Sequence, residues 1–600
     1  MHVVATAGHV DHGKSTLIRA LTGIEPDRWE EERRRGLTLD LGFAWMTLPD
    51  DEVVAFVDVP GHQKFLANML AGVGPVPSVL FVVAADEGWS RQSEEHLVAL
   101  DALGVEHGLL AVTRSDLADP EPAREEALDR LARSSLGRLT SVAVSGRTGA
   151  GLDDLQIALA ELLAGLPAPR RDGPVRLWVD RAFRVSGAGT VVTGTLGAGT
   201  LRVGDELEVG QARERVRVRN LQSLESDVEQ VSAVARVAVN VRSATGGNLG
   251  ALERGSVLLT PGTGLFTDEV DVALPTAEPE KADDLPIALV LHVGSAAVPV
   301  RVRMLVGDDP SARFARLHLD RPLPLRRGER GVLRDPGGQR VAAGVVVVDL
   351  APPALGRRGA ARARATALAV GTDPVAEVNR RSAASRAVLD QLGIVAATDP
   401  LPPGLREVAG LVVTDAAWNR WAQDLRAAVE SHAAAAPLEA GLPLEAARHR
   451  LGLPDLALLP PLAAEAGLAS EGGRIRLPNA GPAFSPEAVA ALEQLRTRLQ
   501  AAPFDAPEAD ELSAAGLDAG TIAAAAKAGL LFRLPGGIVL LPEAEEEAIA
   551  RLARLEQPFS TSAARQALDT TRRVAIPLLE YLDSRRRTRR VDNTSRTVLR

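Results

Sequence analysis

The chain opens Met1-His2-Val3-Val4-Ala5-Thr6-Ala7-Gly8-His9-Val10-Asp11-His12-Gly13-Lys14-Ser15-Thr16. Val3 to Ala7 is an apolar run with the length of a buried strand. It passes into Gly8-x-x-x-x-Gly13-Lys14-Ser15, after which Leu17, Ile18 and Leu21 set a helical spacing. Strand, glycine-rich loop, helix is the context a phosphate-binding P-loop needs. The glycines let backbone N–H groups close around phosphates, and the helix N-terminus adds a favourable dipole. Lys14 is expected at the β/γ-phosphates and the Ser15 hydroxyl on Mg²⁺. Asp11, Gly13 and Thr16 complete the expected nucleotide-binding loop. By itself this stretch implies a nucleoside triphosphate with magnesium.

At 600 residues the chain should hold roughly three to six domains. A hydrophobic content of 46% with 24% charged residues is that of a globular protein. Charge, Pro or Gly interrupts every apolar run well short of about 18 residues, so no membrane span is expected. The first strand begins at the initiator Met, which leaves no room for a signal peptide and predicts a cytoplasmic protein. Cysteine is absent, which excludes disulfides and thiolate metal sites. The net charge of −10 does not suggest nucleic acid for the chain as a whole, so the distribution of charge matters more. A monomer is expected.

Gly8-His-Val-Asp-His-Gly-Lys14 resembles the first motif of the translational GTPases, the elongation factor Tu superfamily. Glu30-Glu31-x-x-x-x-Gly36-x-Thr38-x-Asp40-Leu-Gly-Phe43 is similar to selenocysteine-specific elongation factors in particular. A nucleotide-sensing segment needs a hydroxyl that leaves and returns with the γ-phosphate. Thr38 is the candidate, completing the Mg²⁺ shell only with GTP. Val53 to Val57 reads as a second buried strand, ending in Asp58-Val-Pro-Gly61-His62. Asp58 is expected to hold Mg²⁺ through water, and the Gly61 N–H to meet the γ-phosphate. The resemblance makes His62 the catalytic residue that orients the attacking water.

Val79 to Ala84, Leu109 to Val112 and Val142 to Gly146 read as further strands of a parallel α/β sheet, with the nucleotide at their C-terminal ends. Where the superfamily has Asn-Lys-x-Asp, this chain has Thr113-Arg114-Ser115-Asp116. Asp116 keeps the carboxylate that pairs with guanine N1–H and N2–H. Thr113 replaces Asn, and Arg114 can still lay its stem and planar cation over a base. Ser145 is expected to offer its backbone N–H to guanine O6.

After Pro167-Ala-Pro169-Arg-Arg, period-two alternation replaces helical spacing. Val175–Phe183, Gly187–Thr195 and Leu201–Leu207 read as strands of a small β-barrel, and a second strand-rich region runs from about Asp268 to Asp349. Both look like the barrels of translational GTPases. Asp180-Arg181-Ala-Phe183 and Arg236-Val-Ala-Val-Asn240 match family segments lining the aminoacyl pocket. A selenol is ionised at neutral pH, and guanidinium groups suit that soft anion. A seryl group would leave the cations unpaired.

From about Thr372 the pattern helix, helix, hairpin recurs at 55–60 residues, which suggests four winged-helix repeats. From Ser560 onward ten Arg (565, 572, 573, 585, 586, 587, 589, 590, 596, 600) face four carboxylates (Asp569, Glu580, Asp583, Asp592). Arg572 and Arg573 open the expected recognition helix, in which Pro577 predicts a kink. With Arg565, they are the candidate contacts to RNA.

The expected architecture is therefore multidomain: an α/β P-loop GTPase domain (1–170), two β-barrel domains (171–262 and 263–352), and a C-terminal array of winged-helix repeats. That array comprises a linker with a first winged helix (353–430), a second (431–482), a third (483–543) and a fourth (544–600) that binds an mRNA hairpin. The resemblance to bacterial selenocysteine-specific elongation factors covers nearly the whole chain. It implies GTP/GDP and Mg²⁺ as cofactors, ribosome-stimulated GTP hydrolysis, and delivery of selenocysteinyl-tRNA to UGA codons marked by an mRNA hairpin. A general aminoacyl-tRNA carrier or initiation-type GTPase fits the winged-helix tail less well. A winged-helix nucleic-acid regulator with a GTPase sensor domain is the alternative of another class, and it predicts DNA preference without tRNA binding.

Overall fold

The computed structural model describes residues 1–26, 40–49, 51–62, 65–73, 76, 78–185, 189–210, 212–246, 252–275, 285–309, 312–338, 340–436, 439, 441–478, 484–592 and 594–599. Thr38 lies outside them. The chain forms two compact units, Met1–Asp373 with Ala387–Asp399, and Pro374–Arg386 with Pro400–Arg600.

The first unit begins with a six-stranded sheet of β1 (His2–Gly8), β2 (Gly42–Thr47), β3 (Val53–Asp58), β4 (Ser78–Ala84), β5 (His107–Thr113) and β6 (Thr140–Ala143), in the order β2-β3-β1-β4-β5-β6. Odd residues of β1 (Val3, Ala5, Ala7) enter the core on one face with Val57 and Phe81, and Val4 enters the other with Phe56 and Leu80. Burial on both faces is why the strand reads as an unbroken apolar run. The sheet is not wholly parallel: β2 pairs antiparallel with β3. Only a short turn separates them, which suffices for a hairpin but not for a crossover. The last strand also stops at Ala143, short of the expected Gly146, because Val144 and Ser145 turn into the loop described below.

The next strands are β7 (Arg176–Val185), β8 (Gly189–Ala198), β9 (Thr200–Arg202), β10 (Glu206–Val209), β11 (Glu214–Ser223), β12 (Ser226–Val228), β13 (Gln230–Ser232), β14 (Ala235–Ser243) and β15 (Val257–Leu259). Six of them close a barrel in the order β10-β15-β7-β8-β14-β11, the β10–β11 pairing sealing it. A second closed barrel follows from β16 (Phe266–Ala273), β17 (Ala288–Val293), β18 (Ala296–Leu305), β19 (Phe314–Pro324), β20 (Arg330–Asp335) and β21 (Arg340–Asp349). Alternation of buried and exposed residues along β18 from Ala296 to Arg303 is the signature of a wall with one dry face. Helix Ala360–Val370 is pinned to this barrel by a buried ion network. Arg364 meets Asp271 at 2.7 Å and Asp349 at 2.5 Å, and Arg316 meets Asp271 at 2.7 Å.

The second unit is a run of helix-and-hairpin repeats. Its small sheets are Ala384–Ser385 with Leu405–Val408 and Leu411–Thr414; Leu442–Pro443 with Ala469–Glu471 and Arg474–Arg476; Phe532–Leu534 with Ile538–Leu540; and Phe559–Ser560 with Thr588–Arg590 and Ser595–Val598. The expected boundary between residues 430 and 431 is wrong, because helix Asp415–Ala435 runs through it. Trp418, Trp421, Leu425 and Val429 form one buried stripe of that helix, packed with Leu442, Leu459 and Leu462 of the repeat that follows. The last two repeats share one core, from Leu495 and Phe504 to Leu578 and Leu582. Helix Arg572–Ser584 runs unbroken through Pro577. No helix among the described residues is long and apolar enough to cross a membrane.

Candidate functional site

The P-loop hangs between β1 and helix Lys14–Thr22. Lys14 is only 6% exposed, and its Nζ donates to Gly8 O at 3.1 Å and His9 O at 2.6 Å. The ammonium is thus held at the mouth of the loop, where phosphates would replace the carbonyls. The Ser15 hydroxyl donates to Asp58 Oδ2 at 2.7 Å. Thr6 donates to Asp58 Oδ1 at 2.7 Å and accepts the Val59 N–H at 3.1 Å, so the fully buried carboxylate is fixed from below. A hydroxyl and a carboxylate at this spacing are hard oxygen ligands of the kind Mg²⁺ takes. Gly61 lies directly against the loop. A Cβ there would fall 2.5 Å from Val10 N and 2.8 Å from Lys14 Nζ, so no other residue fits. His62 follows, half-buried, with its ring 6.0 Å from that of Phe65.

Two residues that the sequence reading missed hold this arrangement from helix Arg91–Leu103. Gln92 Oε1 accepts the Val10 N–H at 3.1 Å, and His96 Nδ1 accepts the Gly8 N–H at 3.1 Å. His96 also hydrogen-bonds the Gly61 backbone, so one ring bridges the P-loop and the segment that carries His62. Burial, with help from the Lys14 charge, drives the His96 pKa down to about 3. Burial and the neighbouring His9 lower His12 to about 4. Both imidazoles are therefore neutral at physiological pH. The available signal was Gln92-x-x-x-His96, an i,i+4 pair on one helix face after a strand.

A cavity of about 230 Å³ on the base side is lined by Asp11, Gly13, Thr16, Arg114, Asp116 and Gly146, among others. Thr113 donates to His12 O at 2.7 Å and so ties β5 to the P-loop with a shorter side chain than Asn. Arg114 is held by Asp86 at 2.9 Å and Glu87 at 2.7 Å. Those carboxylates fix the guanidinium at the rim of the cavity. One expectation fails: the Ser145 N–H is committed to Ala150 O at 2.9 Å and is not available to a base. The Ser145 hydroxyl instead donates to Asp116 Oδ1 at 2.7 Å and holds that carboxyl below its usual range. The tight turn after Ala143 demands the N–H, which leaves Gly146 as the residue facing the cavity.

A second cavity of about 240 Å³ lies between β2, β3 and the first barrel, lined by Phe43, Arg181, Phe183, Thr193, Gln222 and Arg236, among others. Arg181 and Arg236 both lie over the Phe43 ring, with Cζ 5.2 Å and 4.0 Å from its centre. Neither is the uncompensated cation the sequence suggested. Arg236 forks onto Asp180, Nη2 to Oδ1 at 2.7 Å, and Arg181 meets Asp40 at 3.1 Å. Partly buried guanidinium groups would be costly without such partners. Burial works to raise Asp40, but the Arg254 hydrogen bond and the charges of Arg181 and Arg254 outweigh it and hold the carboxyl low. Arg254 also reaches Asn68 at 2.6 Å. Counting Asp40, Asp180, Arg181, Arg236 and Arg254, the cluster keeps one net positive charge.

In the last repeat Arg572 is exposed at the first turn of its helix, and Arg565 is half-buried on helix Thr561–Ala567. Arg573 does not stand with them. It bonds Glu508 at 3.0 Å and the carbonyls of Ala506 and Pro507, joining the last two repeats. Arg596, which the sequence counted with the wing, is 5% exposed and paired with Asp583 at 2.8 Å.

Comparison with known proteins bears on these features. Residues 1–165 match the family model of the elongation factor Tu GTP binding domain. Residues 268–354 match that of the selenocysteine-specific elongation factor beta-barrel domain, and residues 550–597 that of the elongation factor SelB winged helix. The selenocysteine-specific elongation factor of Desulfomicrobium baculatum is 38% identical over 356 residues, 58% of this chain and 55% of that protein. Its counterpart in Escherichia coli K12 is 39% identical over 361 residues, 59% and 56% of the two chains. The chain thus spans about half the length of the curated relatives it matches. A crystal structure of a bacterial selenocysteine-specific elongation factor, EF-Sec, superposes with a TM-score of 0.75 and 25% identity over 100% of both chains. With matching family models at the nucleotide domain, the second barrel and the last winged helix, the chain is similar to the SelB selenocysteine-specific elongation factors in each of these parts.

Proposed function

We propose that the chain is a GTP-dependent elongation factor that carries selenocysteinyl-tRNA to the ribosome at UGA codons marked by an mRNA hairpin. One observation carries the reading. Phe43 and Asp40, which immediately follow the candidate nucleotide-sensing segment, also touch the arginines of the barrel cavity. A change in that segment between GTP and GDP would therefore be felt where an aminoacyl group would lie.

Asp11, Gly13, Lys14, Ser15 and Thr16 would cradle the phosphates, and Asp116 with the Arg114 rim would take guanine. Mg²⁺ would supply charge neutralisation at the β/γ-oxygens, held by Ser15, by Asp58 through water, and by Thr38 in the GTP state. The Gly61 N–H would meet the γ-phosphate, and His62 would align water for hydrolysis to GDP and phosphate when the ribosome triggers it. Arg181 and Arg236, backed by Asp180, would take a selenolate through the single net positive charge of their cluster. Arg565 and Arg572 of the last winged helix would contact the hairpin. The domain division is proposed as expected, except that the first winged-helix boundary would lie ahead of helix Asp415–Ala435. The protein is proposed to work as a monomer in the cytoplasm.

The test is filter binding of selenocysteinyl-tRNA and ordinary aminoacyl-tRNAs to the full chain with GTP and with GDP. Selective retention of the selenocysteinyl form with GTP is expected. Equal retention of all tRNAs, or none, would defeat the proposal.

A further inference from the structure

The first unit holds another pocket, separate from the nucleotide site and the barrel pocket. It is a cavity of about 240 Å³ where the nucleotide domain and both barrels meet. Leu103 forms one wall, Arg176 and Trp178 come from the first barrel, and Arg326, Glu329 and Arg330 come from the second.

The charges in this space do not balance. Arg176 is 8% exposed and lies over Trp178, 5.2 Å from the ring centre. Its Nη2 donates to Glu329 at 2.8 and 2.9 Å and to Pro324 O at 2.8 Å, while its buried Nε has no hydrogen-bond partner. Glu329 is the sole carboxylate among the lining residues, and it also accepts the Arg326 backbone N–H at 2.9 Å. Arg326, half-buried, and Arg330, exposed, line the same space, and no second acid lines it. Arg326 is pushed down to about 10, first by burial and then by the nearby cation Arg176, with Glu329 opposing and Arg170 adding to the fall. Arg330 is pressed onto Gly104, whose hydrogen in place of a Cβ is what admits the guanidinium. Packing like charges around a partly buried site is unfavourable, and an anion would relieve it.

We propose that this cavity binds a small phosphate-class anion, held by Arg176, Arg326 and Arg330 at the junction of the nucleotide domain and the two barrels. Planar guanidinium groups match phosphate oxygens in pairs, and three of them converge from two barrels. The occupant bridges elements of both barrels beside the end of helix Arg91–Leu103, the helix that carries Gln92 and His96. Binding therefore favours the arrangement in which all three domains touch.

The same chemistry is offered by a free polyphosphate and by the 5′-phosphate of an RNA. The test uses the full chain with GDP in excess, titrated calorimetrically with inorganic pyrophosphate, then with 5′-phosphorylated and 5′-hydroxyl forms of one RNA oligonucleotide. Pyrophosphate binding is expected, weakened at least tenfold by Arg326→Gln and severalfold by Arg330→Gln, and unchanged by Lys14→Ala. Binding of the 5′-phosphorylated RNA alone, with the same loss in Arg326→Gln, would uphold the site and assign it to an RNA end. Binding that survives Arg326→Gln but disappears in Lys14→Ala would locate the anion in the P-loop and overturn the proposal. So would the absence of binding by every probe.

Discussion

Replacing His96 by Ala should uncouple hydrolysis from nucleotide binding. The ring is 2% exposed and serves two backbone groups, the Gly8 N–H at 3.1 Å and the Gly61 backbone. Each buried polar group left without a partner costs about 1–3 kcal/mol. The Gly8 end lies inside the sheet and cannot move away. The Gly61 end can, by swinging out with His62 and regaining water. The loss then appears mainly as a smaller population of the arrangement in which Gly61 lies against the P-loop. A shift of about 1.4–2.8 kcal/mol is tenfold to a hundredfold in that population. Single-turnover GTP hydrolysis should fall by about that factor, while GDP affinity, which needs only the P-loop, changes less. His96→Gln, with a donor and an acceptor at similar reach, should restore part of the rate. The assay pairs single-turnover hydrolysis with the affinity of a fluorescent GDP. Hydrolysis within twofold of the parent protein, or equal losses for hydrolysis and GDP binding, would refute the bridge.

His62→Ala should leave GTP binding nearly intact and slow ribosome-stimulated hydrolysis at least about a hundredfold, the scale of losing a positioned catalytic group; an unchanged single-turnover rate would remove His62 from the mechanism. Arg236→Ala combined with Asp180→Asn, which avoids leaving a buried carboxylate unpaired, should weaken selenocysteinyl-tRNA far more than the seryl form of the same tRNA. The lost charge-assisted contact is worth about 1.5–3 kcal/mol, and filter binding with equal losses for both tRNAs would assign these residues to the barrel alone. Arg572→Ala should impair hairpin binding in gel shifts with the thermal midpoint unchanged. Arg573→Ala should instead lower the midpoint, because it cuts the joint to Glu508 and Ala506. Acid should destabilise the nucleotide domain. His12 and His96 stay neutral in the fold, at about 4 and about 3 against an ordinary 6.5, while the unfolded chain takes up protons below 6.5. Their contribution is present above pH 6.5 and falls by ~1.4 kcal/mol per pH unit for each ring as pH drops toward 4. Urea midpoints of the nucleotide-domain transition should show a shallower slope for His96→Gln, and an identical slope would contradict the assignment.

Local order was legible in the sequence wherever one short stretch carries both the geometry and the chemistry. Gly8 to Thr16 and Asp58 to His62 needed only their own residue types and the strands before them, since backbone N–H groups and a glycine at a contact are local requirements. Alternation along Ala296–Leu305 likewise announces a barrel wall, because side chains of a strand must divide between a dry face and a wet one. The hidden features all depend on partners far away in the chain. Arg236 looked like a free cation until Asp180 was brought beneath it, and Arg573 looked like an RNA contact until Glu508 and Ala506 closed over it. Ser145 lost its N–H to a turn that no propensity encodes. His96, 88 residues from Gly8, acquires a role only because β4 and β1 are neighbours in the sheet. A charge or a hydrogen-bonding group states what it needs, but only the tertiary structure decides whether the chain itself meets that need or leaves it for a ligand.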